Sequence, residues 1–104
     1  MNSPLPVDVF VREVGPRDGL QAEDGWVDTE AKIKLINQLS RCGFKRIEAT
    51  SFVHPKAIPQ LRDAEEVMAG LDRISGVRYE CIVPNIKGAD RAIKSGIDKI
   101  GIFI

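Results

Sequence analysis

An excess of charge of either sign is missing from this sequence. Fifteen Lys and Arg balance fifteen Asp and Glu, for a formal net charge of zero. Nothing therefore argues for nucleic acid, an anionic membrane surface or any strongly charged partner. Cysteine is scarce as well. Cys42 and Cys81 lie in apolar periodic segments and form neither a disulfide framework nor the paired spacing of a zinc site, so a reducing cytoplasm is the expected compartment. No apolar run is long enough to span a bilayer, and Met1 to Pro6 holds no basic stretch followed by an apolar one, so neither a membrane span nor a signal peptide is expected. A Gly-rich phosphate fingerprint after the first strand is absent too, which weighs against a dinucleotide-binding sheet. Low-complexity segments and strict repeats are lacking.

What remains is a chain of 104 residues, 43% of them hydrophobic, the size of a single soluble globular domain at most. Residues 1 to 8, with Pro4 and Pro6, read as a loose lead-in. Val9 to Val14 is short and β-branched, which favours a strand. Asp28 or Thr29 can cap a helix running to about Cys42, with Ala31, Leu35, Ile36 and Leu39 as its apolar stripe and Gly43 as its stop. Lys45 to Phe52 reads as a second strand, followed by a loop stiffened by Pro55 and Pro59. Asp63 and Glu66 have the spacing of a capping box, and Ala64, Val67, Met68, Leu71 and Ile74 continue at helical intervals to Gly76. Val77 to Val83 is a third strand. Ile86, Ala89 and Ile93 mark a weaker helix closed by Gly96, and Lys99 to Ile104 a fourth strand, apolar enough to be buried on both faces.

The order βαβαβαβ implies a parallel sheet with right-handed crossovers. An open doubly wound sheet and part of a (β/α)8 barrel compete. Charged and polar residues at the carboxyl ends of successive strands favour the barrel, whose chemistry sits at that rim. A sheet ending on an uncovered apolar strand exposes backbone and side chains. Residues 1–104 are therefore expected to be the N-terminal half of one barrel domain, continuing beyond Ile104.

The rim residues carry the chemistry. Gly15-Pro16 stops the first strand, and Arg17-Asp18 sits between that break and the freely turning Gly19. Taken alone, Arg17-Asp18 reads as a solvated turn. In the second strand, residues 48, 50 and 52 alternate with Ile47, Ala49 and Ser51. If Ile47 and Ala49 pack on helices, Glu48 and Thr50 point into the barrel. A carboxylate there must be paired, and Arg17 is the obvious partner. Whether such a pair does chemistry or merely fixes strand register stays open at this level.

Gly15-Pro16-Arg17-Asp18-Gly19-Leu20-Gln21, Ile47-Glu48-Ala49-Thr50-Ser51-Phe52-Val53, Pro55-Lys56, Pro59-Gln60 and Val83-Pro84-Asn85-Ile86-Lys87-Gly88 together resemble the 3-hydroxy-3-methylglutaryl-CoA lyases. These belong to a metal-dependent barrel family that also contains the isopropylmalate, homocitrate and citramalate synthases. The Arg-Asp-Gly-x-Gln core marks the wider family, and the other blocks point to the lyase branch. The resemblance runs from about Val11 to the last residue. It implies retro-Claisen cleavage of an acyl-CoA thioester to acetyl-CoA and a keto acid, with a divalent cation, Mg2+ or Mn2+, ligated by Asp18. On the same resemblance Arg17 stabilises the enolate, Glu48 orients Arg17 and the metal-bound network, and Gln21 and Thr50 contact substrate. A homodimer of the full-length protein is a further expectation.

The remaining metal ligands of such enzymes, two His on one strand and an Asn, and a loop Cys used in proton transfer, come from the second half of the barrel. Cys42 and Cys81 do not match that Cys and read as ordinary buried thiols. The single carboxylate of Asp18 is not expected to hold a metal ion by itself. His54 stands where such lyases usually carry Ser, and Ala57 where they carry Trp, which leaves citramalyl-CoA or a longer-chain homologue open as substrate. A Claisen-condensing synthase of the isopropylmalate synthase type and a non-catalytic half-barrel are the alternative readings.

Overall fold

A computed structural model describes residues 11–102. The lead-in, the first two residues of the expected first strand and the last two of the fourth lie outside the described residues. Within them the order is β1 (Arg12–Glu13), a π-helical turn (Gly15–Gly19), α1 (Thr29–Arg41), β2 (Arg46–Ser51), a 3-10 turn (Pro59–Leu61), α2 (Ala64–Gly70), β3 (Arg78–Val83), α3 (Ile86–Lys94) and β4 (Lys99–Ile102). The four strands form one parallel sheet in the order β1-β2-β3-β4. Each strand pairs with the next in sequence, with no reversal of order, and that is how a (β/α)8 barrel is laid down.

One face of the sheet carries the helices. Ile47, Ala49, Phe52, Tyr79, Cys81 and Val83 are buried there with Ile36, Val67, Met68 and Ala92. The second face is the barrel side and carries charge. Tyr79 belongs to the helical face, yet its hydroxyl exchanges a hydrogen bond with Ser40 at 2.8 Å and accepts one from the Ile74 amide at 3.1 Å. A buried phenol would be costly without such partners.

Tertiary contacts override several local signals. The α1 stripe is rotated from the expected one: Lys32, Ile36 and Ser40 are buried, Ile33 and Leu39 pack against the core, and Ala31 is exposed. Lys32 is tolerated inside because its Nζ donates to Asp63 Oδ1 and to the Gln60 carbonyl, both at 2.6 Å. The same pairing removes the expected capping box. Asp63 makes no side-chain cap to α2, its carboxylate being taken by Lys32 and by the Thr29 hydroxyl at 2.6 Å. Helix α2 also stops at Gly70, short of Ile74, where Leu71 turns extended (ψ 140°). A Cβ on Gly70 would stand 2.4 Å from the tip of Ile33, so α1 and α2 meet across a position that only Gly fills without displacing a side chain.

Helix α3 explains the Pro-Asn-x-Lys-Gly block. Asn85 caps it, its side-chain oxygen accepting from the Gly88 amide at 2.9 Å. A Cβ on Gly88 would lie 2.6 Å from the Phe52 carbonyl, so glycine lets the helix press against the end of β2. β4 differs from expectation. Rather than being buried on both faces it is the sheet edge, with Ile102 77% exposed, because no described element lies beyond it.

Candidate active site

Register decides what reaches the barrel side of the sheet. Glu48 lies opposite Glu80, but the next aligned pair is Thr50 with Cys81, so Ala49 is an extra residue in a bulge. The bulge corrects the expectation that Glu48, Thr50 and Phe52 share a face. Beyond it Thr50 and Phe52 take the helical side, level with Cys81 and Val83, while Ser51 comes level with Ile82 on the barrel side. Thr50 is 2% exposed and lies off the Glu48 face, so the structure does not bring it to the other candidate residues.

The rest converge. Val14 follows β1, and the π-helical turn after it is held by the Arg17 and Asp18 amides, which donate to the Val14 carbonyl at 3.1 and 2.7 Å. Pro16 is buried in this turn and fixes its first residues. The turn swings Arg17 over the carboxyl end of β2, where its Nε donates to Glu48 Oε1 at 2.5 Å. Its NH1 nitrogen reaches Asp18 Oδ1 at 3.3 Å and Gln21 Oε1 at 3.5 Å. The Arg17 and Glu48 side chains are 19% and 10% exposed, that of Asp18 67%. A guanidinium with its Nε on a buried carboxylate is fixed in direction, and its remaining N–H groups are turned to the site. Arg17 and Gln21 also wall a pocket of about 170 Å³ with Ser51, Val53, Ile58 and Ile82. Ser51 donates to the Ile82 carbonyl at 3.3 Å, which leaves its oxygen as an acceptor facing the pocket.

Below this pair lies a charged layer that sequence reading passed over. Glu80, 3% exposed, receives Arg12 Nε on one oxygen at 2.5 Å and Arg46 Nε on the other at 3.0 Å. Burial alone would raise its pKa, but the two guanidiniums outweigh it and hold the carboxyl below the ordinary value. The signal was the one that revealed Glu48: a carboxylate in a strand between Tyr79 and Cys81. Burial, followed by the nearby charge of Glu48, pushes the Cys81 thiol up to about 12. Cys42 is exposed, contrary to expectation, because it ends α1 on the solvent side. Cys81 lies on the helical face of the sheet, opposite the side that carries Glu48 and Arg17.

The loops above are tied to one another. Lys32 Nζ and the Arg62 guanidinium lie over the Trp26 ring, 3.9 and 3.7 Å from its centroid, and Gln60 donates to the Glu23 carbonyl at 3.0 Å. His54 is exposed, with Nδ1 accepting from the Lys56 amide at 3.1 Å. It lines an outer groove with Arg62, Lys87 and Arg91, away from the Arg17 pocket.

As for a divalent cation, Asp18 offers an exposed hard-oxygen donor beside Arg17, and its contact to the guanidinium is long. Among the described residues no cluster of three or more His, Cys, Asp or Glu could hold an ion. The described residues thus offer a single exposed oxygen donor here, Asp18, and no complete ion site.

Known proteins match this arrangement closely. The HMGL-like family model matches residues 8–104. A hydroxymethylglutaryl-CoA lyase of Bacillus subtilis is 54% identical over 97% of this chain, and the human mitochondrial hydroxymethylglutaryl-CoA lyase 48% identical over 95%. The crystal structure of a Bacillus subtilis HMG-CoA lyase superimposes with a TM-score of 0.94 over 98% of the chain at 54% identity. An HMG-CoA lyase from Acinetobacter baumannii in complex with coenzyme A and 3-methylmalate superimposes with a TM-score of 0.88 over 89% at 55% identity. These structures are (β/α)8 barrels, of which this fold supplies the opening strands. The chain spans about a third of the length of its curated relatives, 34% of the Bacillus protein and 30% of the human one. Those relatives are lyases, which leaves the condensing-synthase alternative without support. On sequence and fold alike, the chain belongs to the HMGL-like family.

Proposed function

We propose that this chain supplies the first four strands of a carbon–carbon lyase that cleaves a 3-hydroxy-3-methylglutaryl-CoA-like thioester. The observation that carries the reading is the Arg17–Glu48 pair, set beside Asp18, Gln21 and a small pocket at the carboxyl ends of the strands. In a retro-Claisen cleavage the tertiary hydroxyl loses its proton and its oxygen becomes the ketone of the keto acid. The adjacent carbon–carbon bond breaks, and its electron pair moves onto the thioester carbonyl oxygen as an enolate. Protonation of the enolate carbon gives acetyl-CoA.

Arg17 is the group suited to that oxygen. It is held by Glu48 before substrate arrives, and it lines the pocket. Glu48 fixes its direction and keeps the partly buried charge compensated. Gln21 and Ser51 are placed to hydrogen-bond the bound acyl group, and Val53, Ile58 and Ile82 keep water from the breaking bond. A divalent cation, Mg2+ or Mn2+, held in part by Asp18, would lower the pKa of the substrate hydroxyl. An acyl-CoA partner is supported by the relative whose structure contains coenzyme A. Free thiols at Cys42 and Cys81 suit a reducing cytoplasm.

The test is Arg17→Gln in the full-length enzyme. Losing an oxyanion donor costs about 10²–10³ in turnover, and a charged donor more. Gln can still donate to Glu48 but leaves its charge uncompensated, so some loss of melting temperature is expected and turnover is compared below the variant's unfolding transition. Near-normal turnover would remove Arg17 from the chemistry, and a wild-type enzyme inert toward hydroxyacyl-CoA thioesters would remove the lyase reading itself.

A further inference from the structure

We propose that Glu80 is a positioning residue, which holds Arg12 and Arg46 so that the Glu48 carboxylate is left to Arg17. The inference rests on the role given to Arg17 above and concerns what keeps its anchor available.

On the barrel side of these four strands cations outnumber carboxylates. By register Arg12, Arg46 and Arg78 form one row, and Glu48, Glu80 and Lys99 the next, with Arg17 arriving from the turn above. Arg46 precedes Glu48 by two residues on one face of one strand, a spacing of about 6.6 Å that an arginine side chain bridges easily. Left to themselves, Arg46 and Arg17 would compete for one carboxylate. In the structure they do not compete. Glu80 lies directly across from Glu48 and draws Arg46 sideways onto one oxygen, while Arg12 occupies the other. Both Glu80 oxygens are thus committed to the lower row, and Glu48 Oε1 is engaged by Arg17 alone. Three guanidiniums are sorted by two carboxylates into a structural pair below and a single oriented one above.

The sorting also bears on direction. A guanidinium bound through Nε keeps its terminal nitrogens forward, and here they meet Asp18 and Gln21. Were Arg46 to take Glu48, Arg17 would fall back on its neighbour Asp18 and cover the oxygen donor proposed for the metal.

The experiment uses the full-length enzyme and the variants Glu80→Gln, Arg46→Gln and their combination. Glu80→Gln should lower kcat by about tenfold or more, a barrier change of about 1.4 kcal/mol, with KM for the thioester little changed. Adding Arg46→Gln should restore most of that loss because the competitor is gone, and Arg46→Gln alone should be near wild type. A crystal structure of Glu80→Gln should show Arg46 on Glu48 and Arg17 displaced. A fall in kcat that Arg46→Gln does not relieve, or a variant in which Arg17 keeps Glu48, overturns the proposal. The crystallographic arm decides it whatever reaction the enzyme performs, whereas inactivity of wild type counts only against the lyase reading. Should Glu80→Gln fail to fold, Glu80→Asp pulls the carboxylate back by one methylene and carries the same test, with lowered turnover again relieved by Arg46→Gln.

Discussion

Replacing Lys32 with Met cuts the tie between α1 and the loop after β2 while keeping the length of the apolar stem. The Lys32 and Asp63 side chains are 3% and 9% exposed and meet at 2.6 Å. In the variant the Asp63 carboxylate keeps only the Thr29 hydroxyl, a bond present before and after, which cancels from the difference. What remains is an uncompensated buried charge, worth about 3–5 kcal/mol when one partner of such a pair is removed. In a full-length enzyme about three times as long as this chain, as its relatives are, each kcal/mol moves the melting temperature by about 2–4 °C, so a fall of roughly 6 to 20 °C is expected in a thermal scan. The double variant Lys32→Met/Asp63→Leu removes both charges and should recover more than half of the loss. A single-variant cost under about 1 kcal/mol, or a double variant as unstable as the sum of its parts, would refute the reasoning, since the pair would then be screened as surface pairs are.

Gly88→Ala should destabilise by about 1–3 kcal/mol in a denaturant titration, because its new methyl meets the Phe52 carbonyl, backbone that has little room to yield. With a thiol reagent at mildly alkaline pH, Cys42 should react and Cys81 should not until the protein unfolds, since the latter is buried with its pKa pushed up to about 12. Glu80 has a folded pKa below its ordinary 4.5, so its contribution to stability is complete above that pH and is lost as pH falls through the lowered value. The stability gap between wild type and Glu80→Gln, measured by denaturation, should accordingly shrink below pH 4.5.

Much of this is visible in the residue order. Alternating strand and helix patterns imply a parallel sheet, and an interior carboxylate at Glu48 calls for a cation, which Arg17 supplies. Where pattern reading fails, a distant partner has outbid a local one. Asp63 looks like a helix cap until Lys32 arrives from α1 and takes its carboxylate. The Ala49 bulge leaves no mark in the sequence at all, because it exists only as a mismatch between two strands.

That mismatch lets β2 serve two masters. Up to Glu48 the strand shows a carboxylate to the barrel axis. One surplus residue later the sides are exchanged, and Ser51 faces the axis while Phe52 swings outward to join the helices. It is this outward Phe52 whose carbonyl abuts Gly88. A lone residue inserted or deleted near position 49 would therefore spoil the lining of the pocket and the seating of α3 together, although α3 itself is untouched.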